Sequence, residues 1–198
     1  MSPSSIYLSG AANPQTQVVI TISAIGNPAV ALSVDNVLLS GNSFTSPQLM
    51  ESKTFAISAT NGIGSGDATS VPVSVIIDPV FAKLCGTSGK SYRYSLRTKQ
   101  EVSDVNPVSI LSPCELDDKF TFLPNSRLLI DLGTNPSCGV LSGVSGFTFN
   151  PSTMALFFGE PKTINAATFT TTSFECTWTK PHLTTGLPVN FREVYVLY

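Results

Sequence analysis

Cysteines are the residues of this chain whose chemistry is easiest to test by spacing. The four, Cys85, Cys114, Cys138 and Cys176, are never arranged as Cys-x-x-Cys, so the usual redox and zinc patterns are not indicated. The single histidine, His182, cannot complete a zinc site at conventional spacing. The sequence therefore predicts no metal and no other cofactor.

Disulfide formation is the alternative use of these cysteines, and four cysteines allow three pairings. We predict a bridge between Cys114 and Cys138 in an oxidising setting, which would stabilise the fold by about 3 to 4 kcal/mol in the chain-entropy model. Cys85 and Cys176 either form a second bridge or are small buried hydrophobic residues. In a reducing cytoplasm all four thiols would stay free until release.

A carboxylate cluster, Glu115, Asp117 and Asp118 with Asp131 from the next predicted strand, offers oxygen ligands of the kind that calcium prefers. The spacing, however, lacks the alternation around a glycine turn that calcium loops show. We therefore expect these side chains to lie at the start of a strand and to accept amide hydrogen bonds.

Catalytic motifs are not indicated. His182 is the one histidine for any Ser or Cys nucleophile, and Gly-x-Ser-x-Gly does not occur. The segment "GTSGKS" (Gly86 to Ser91) resembles part of a phosphate-binding loop, but Leu84 stands at the position of its first glycine, and a strand pattern follows instead of a helix. The sequence predicts that the protein is not an enzyme.

Composition and charge exclude further classes. The net charge is −2 without a basic run, which argues against nucleic acid as a partner, and no apolar run is long enough for a membrane-spanning helix. The N-terminus lacks a signal peptide pattern. We expect an extracellular protein whose export signal has been removed, or one on a virion exterior that is released by lysis.

Charge is also distributed unevenly along the chain. Residues 1–79 hold five charged residues and the rest of the chain holds nineteen. This shift predicts two domains, 1–79 and 80–198, both rich in alternating strand patterns. In the first, strands are predicted at Gln17 to Ile25, Lys53 to Thr60 and Thr69 to Ile77, with Pro72 suiting an edge, and two more flank an Asp35-Asn36 turn.

Eight strands with short turns are predicted in the second domain, after a linker at Asp78 to Ser91. An antiparallel meander of that size suits a closed barrel. A segment at Lys99 to Val108 could form a helical turn or two. The predicted strands are 91–98, 119–123, 127–132, 144–149, 154–158, 163–171, 174–179 and 192–198.

Two family resemblances follow from these patterns. The run "FAISATNGIGSGDATSVPVSV" resembles the last hairpin of bacterial immunoglobulin-like domains, which implies a β-sandwich for residues 1–79. The order "CELDDKFTFLPNSRLLIDLG", a second cysteine at position 138 and "SGFTFNPSTMALFF" resembles the lipocalin-like domains of Bacteroidota surface proteins. That resemblance covers about residues 84–198 and implies an eight-stranded antiparallel barrel.

The function expected from these features is that of a non-enzymatic structural or adhesive module. The weakly charged N-terminal domain would dock against protein partners in a homo-oligomer or larger assembly, on a bacterial envelope or a phage virion, and the barrel would be the displayed head. The alternative is a carrier that binds a small ligand or glycan, with Trp178 and Tyr198 as candidate contacts.

Overall fold

The structure is a computed structural model that describes residues 4–10, 17–24, 30–49, 51–66, 69–134 and 142–198. It is all-β, as predicted, and divides into two compact units. The described residues of 1–8 and 15–76 form an N-terminal unit, and those of 9–14 and 77–198 form a C-terminal unit. In the described part of the chain no helix is long and apolar enough to cross a membrane.

The N-terminal unit contains a five-stranded sheet in the order β1, β7, β6, β3, β4 and a separate pair of β2 with β5. Phe44 of the pair meets Phe55 of the larger sheet at 5.5 Å between ring centroids. The predicted strands at 53–60 and 69–77 are confirmed. The strands are β1 (Ser4–Leu8), β2 (Val19–Thr21), β3 (Ala31–Val34), β4 (Val37–Leu38), β5 (Ser43–Thr45), β6 (Lys53–Thr60) and β7 (Thr69–Ile77).

The residues of the β3–β4 turn explain why this hairpin forms. Asp35 and Asn36 both have positive φ, which is the conformation a two-residue type I′ turn needs and which these residue types tolerate. The predicted Asp35-Asn36 turn is thus confirmed. The edge position inferred from Pro72 is wrong, because β7 has β1 on one side and β6 on the other.

The segment predicted as a linker forms a helix in the C-terminal unit. Helix α1 (Pro79–Cys85) starts where the Asp78 carboxylate accepts hydrogen bonds from the amides of Val80 and Phe81. Asp before Pro at the first helical position is a typical helix start. Phe81 of this helix packs against Phe147 and Phe149, with ring centroids 6.0 and 6.3 Å apart.

The C-terminal unit has the predicted antiparallel meander, but its described residues form ten strands instead of the predicted eight, and most of the predicted strand at 163–171 is not strand. Of the one or two turns predicted at 99–108, one is formed, in which the Asp104 amide donates to Glu101 O at 3.0 Å; the segment is not helical, because β8 continues to Gln100 and β9 pairs with it. A 3-10 helix spans Pro113–Glu115. The strands are β8 (Lys90–Gln100), β9 (Val108–Ser109), β10 (Lys119–Phe122), β11 (Arg127–Asp131), β12 (Gly143–Gly146), β13 (Thr148–Asn150), β14 (Ala155–Phe158), β15 (Glu160–Ile164), β16 (Ser173–Pro181) and β17 (Pro188–Leu197).

These strands form a nearly closed, barrel-like sheet. Nine of them follow the order β12, β11, β10, β8, β17, β16, β15, β14, β13, so the first long strand pairs with the last. The two edges, β12 and β13, are consecutive in the chain and separated by Phe147, where the predicted single strand at 144–149 is split. The chain itself therefore bridges the opening, and the Phe149 amide donates to Gly10 O at 2.7 Å.

Candidate functional site

Aromatic side chains fill the centre of the barrel. Phe122 contacts the rings of Tyr92, Phe147, Phe158 and Phe174 from four other segments at centroid distances of 5.0 to 6.0 Å. Phe174 also stacks on Tyr195 at 4.5 Å. Most of these rings are fully buried, so this level of the barrel is packed by its own side chains.

A buried group of charges lies beside the aromatic core. We call it the Glu193 cluster, which comprises Arg97, Glu115, Lys162, Glu193 and Tyr195. Glu193 Oε1 lies 3.1 Å from Arg97 Nε, and Oε2 accepts from Lys162 Nζ at 3.0 Å and from the Tyr195 hydroxyl at 2.8 Å. Arg97 Nη1 also pairs with Glu115 Oε1. Two cations and two carboxylates make the cluster neutral.

A β-bulge places Arg97 in this cluster. Along the β8–β17 pairing, Val194 is opposite Leu96 and Tyr195 is opposite Tyr94, so Ser95 is an extra residue in β8. An extra residue changes which side chains point inward. Tyr94 and Arg97 therefore both face the interior, although simple alternation places them on opposite faces.

The charged groups of the Glu193 cluster bind one another. Its carboxylate oxygens are already bound to Arg97, Lys162 and Tyr195, so it is not placed to remove a proton from a substrate. Cys176 Sγ lies 3.9 Å from Glu193 Oε2, but burial, and then the Glu193 charge, raise the pKa of this thiol. A protonated thiol is a poor nucleophile.

Of the two disulfide bridges considered from the sequence, one is not formed and the other stays a prediction. The suggested Cys85–Cys176 bridge is not formed, since both residues carry free, buried thiols. Cys85 Sγ is instead within 3.3 Å of Phe81 O at the end of α1, and burial raises its pKa to about 12. Cys114 is buried, whereas Cys138 lies outside the described residues, so the Cys114–Cys138 bridge stays a prediction.

The acidic segment accepts hydrogen bonds rather than gathering around a cation site. Asp117 Oδ2 accepts from the Thr134 amide at 2.9 Å and from its hydroxyl at 3.1 Å, and Asp131 Oδ1 accepts from the Gly133 amide. Gly133 has a φ of +62°, and a Cβ there would lie 2.4 Å from Asp117 Cγ. In the described ranges, no group of three or more His, Cys, Asp or Glu side chains could hold a metal ion.

The "GTSGKS" segment forms a turn between α1 and β8. Gly86 caps the C-terminus of the helix, and β8 begins at Lys90. Lys90 Nζ donates to Lys83 O at 2.9 Å and to Thr171 O at 3.0 Å. No helix N-terminus follows the glycines, so the geometry of a phosphate-binding loop is not present.

Trp178 and Tyr198, the candidate ligand contacts, lie far apart. Trp178 is paired with Phe191 near the start of β17, and Tyr198 follows the other end of that strand. Seven residues of strand separate these ends by roughly 23 Å. Trp178 is also flanked on both sides, by Phe191 of β17 in a stack at 4.9 Å and by Lys162 of β15, whose Nζ lies 3.7 Å from the ring centroid. Tyr198 is exposed, with Lys119 Nζ 5.4 Å from its ring centroid.

A pocket of about 270 Å³ lies at the barrel end next to this stack. We call it the end pocket, and its walls include Lys99, Glu101, Lys180, His182, Leu183 and Phe191. Lys180 Nζ lies 5.1 Å from the Phe191 ring centroid, and Lys99 Nζ donates to Glu101 Oε1 at 2.9 Å. His182 Nδ1 accepts from the amides of Thr184 and Thr185 and so belongs to the β16–β17 turn.

Of the Glu193 cluster, only Glu115 is among the candidate residues of the sequence, where it belongs to the acidic segment; the other members, Arg97, Lys162, Glu193 and Tyr195, are not. One signal was present, because alternation in β17 places Glu193 on the same face as Tyr195 and Val189, and a lone acid on an apolar face requires a buried cation. Alternation in β15 likewise places Lys162 with Ile164. The bulge that brings Arg97 inward leaves no comparable mark.

Comparison with known proteins adds nothing to this geometry, because no family model, curated protein or solved structure matches the chain.

Proposed function

We propose that this chain is a non-enzymatic structural or adhesive module of an exterior surface, either a bacterial cell envelope or a virion. In this proposal the N-terminal unit is an immunoglobulin-like spacer that docks against further copies of the chain, and the lipocalin-like barrel is the displayed head. The observation that carries the proposal is the nearly uncharged, partly apolar surface of the N-terminal unit.

Charge on this unit is sparse even where the structure describes it. Its described residues include Asp35, Glu51 and Lys53 as the charged side chains, and Asp35 Oδ2 and Lys53 Nζ pair with each other at 2.9 Å. That leaves Glu51 without an ion-pair partner within the described ranges. A surface with so little charge gives weak protection against association.

Strand β4 is an exposed apolar part of this surface. It is a sheet edge, and its two residues, Val37 and Leu38, are 58% and 71% exposed. Soluble proteins usually protect sheet edges with charged residues or proline. Exposed apolar side chains at a sheet edge favour contact with a neighbouring copy.

The packed barrel supports the role of a displayed head. Rings from β8, β10, β14 and β16 meet at its centre, so the aromatic side chains are explained by core packing rather than by a hollow carrier interior. Together with the neutral Glu193 cluster, this packing favours a rigid scaffold that works through its surface.

Sedimentation velocity over a concentration series tests the proposal. The wild-type protein should associate as its concentration rises, and Leu38→Lys should shift it toward monomer. Leu183→Lys is the matched control, because Leu183 is fully exposed on the C-terminal unit and its substitution should leave association unchanged. A strictly monomeric wild type that binds neither an envelope nor a virion would contradict the proposal.

A further inference from the structure

The end pocket combines an apolar wall with an ammonium group that has no acidic partner. Leu183 and Phe191 supply apolar surface, and Lys180 lies over the Phe191 ring. Among the described residues, no carboxylate lies within 4 Å of Lys180 Nζ. This arrangement differs from the Glu193 cluster, where every charge is paired.

The charges around the pocket determine what it can accept. Lys99 and Glu101 neutralise each other through their 2.9 Å contact, so the net charge of the walls comes from Lys180. A bound anion would offset that charge. Nδ1 of His182 already accepts two turn amides, so this nitrogen is not available to a ligand.

Size limits the ligand further. A volume of about 270 Å³ is below the usual range for drug-sized ligands, so the occupant has about the dimensions of a monosaccharide or a substituted benzene ring. Phe191 is already stacked on Trp178, which fixes the ring that would contact the ligand. The pocket is thus partly preorganised.

From these features we infer that the end pocket binds a small organic carboxylate with one apolar face. The carboxylate is held by Lys180 and the apolar face lies against Phe191 and Leu183. This site belongs to the C-terminal unit and is independent of association through β4, so it goes beyond the proposed function.

An NMR titration with benzoate tests the inference, with benzyl alcohol as the neutral analogue. Benzoate should shift amides of the β16–β17 hairpin, bind more tightly than benzyl alcohol and weaken as salt is added. Lys180→Met should reduce benzoate affinity at least about fivefold, which corresponds to the loss of one charge-assisted contact. Lys83→Met is the matched control, since Lys83 Nζ lies over the Phe169 ring, and it should leave the affinity unchanged.

A second variant keeps the test decisive. Leu183→Glu places a carboxylate at a fully exposed position of the pocket wall and should weaken benzoate binding by repulsion, most clearly at low salt. Tighter binding of glucuronate than of benzoate would support the site with a sugar acid as its ligand. Equal affinities for benzoate and benzyl alcohol, or unchanged benzoate affinity in Lys180→Met, would overturn the inference.

Discussion

Arg97 and Glu193 lie directly opposite each other on β8 and β17, with Nε and Oε1 3.1 Å apart. Their pairing depends on the bulge at Ser95, because without the extra residue Arg97 would face outward. The side chain of Glu193 is only 2% exposed, so its charge requires the two cations that contact it. One local irregularity of the backbone thus makes a buried carboxylate tolerable inside the barrel.

Removing the charge of Glu193 should strongly destabilise the fold. Glu193→Gln keeps the shape of the side chain but leaves Lys162, which is 6% exposed, without its carboxylate. Breaking a buried ion pair by removing one partner costs about 3 to 5 kcal/mol. Urea unfolding at neutral pH should show this loss in the free energy of unfolding.

Glu175→Gln is the matched control, because it removes an exposed ion pair between β16 and β17. Glu175 Oε2 accepts from Arg192 Nη2 at 2.6 Å, but Arg192 is 48% exposed, so the loss should stay below about 1 kcal/mol. If the two variants lose similar stability, the Glu193 cluster does not hold the barrel together in the way described.

Asp118 should make stability depend on pH with an unusual sign. It is 4% exposed, and burial, followed by the charge of Glu115, raises its pKa in the folded state. The folded state therefore favours the protonated form, and stability is lost as the pH rises through the folded pKa. Asp118→Asn should raise the melting temperature at pH 7, by on the order of 1 to 2 °C.

The advantage of Asp118→Asn should disappear on acidification below the ordinary carboxyl pKa, where Asp118 is protonated in both folded and unfolded chains. Asp131→Asn is a surface control, since Asp131 is 60% exposed and contacts Lys119 at 3.5 Å, and it should not raise the melting temperature. Melting curves at several pH values check this. An advantage that persists unchanged at low pH would contradict the assignment.

Thiol counting separates the two cysteine pairs. Cys85 and Cys176 are buried, with relative exposures of 0%, and burial raises the pKa of both thiols. Neither should react with a thiol reagent at pH 8 in the native protein. Unfolding the oxidised protein should release two reactive thiols, and reduction should release the other two from the predicted Cys114–Cys138 bridge.

Rapid labelling of Cys85 or Cys176 in the native protein would contradict their burial. Four reactive thiols on unfolding without reduction would contradict the predicted bridge. Peptide mapping after labelling distinguishes these cases.

The sequence predicted much of the fold because its strands alternate strictly. Strands at 53–60 and 69–77 have the predicted bounds, and Asp35-Asn36 forms the predicted turn. It missed α1, whose seven residues are too few for a helical period to show, although Asp78 before Pro79 marks a helix start. The break between β12 and β13 at Phe147 was also not predicted. The residues of both strands continue one alternating pattern, which reads as a single strand.

The candidate sites were harder to predict, since both depend on contacts between distant strands. Lys162, Glu193 and Arg97 come together only through the pairing of β8 with β17, of β17 with β16 and of β16 with β15. Trp178 is a predicted ligand contact, whereas the structure places it between Phe191 and Lys162. Neighbours across a sheet determine exposure, and a single strand's sequence does not specify them.

Hydrogen exchange followed by mass spectrometry, over a roughly hundredfold range of protein concentration, tests most directly whether the N-terminal unit docks through β4. Peptides that contain Val37 and Leu38 should become more protected as concentration rises, while peptides of β16 and β17 keep the same exchange. Leu38→Lys should remove that concentration dependence. Exchange at β4 that does not change with concentration in the wild-type protein would contradict the account.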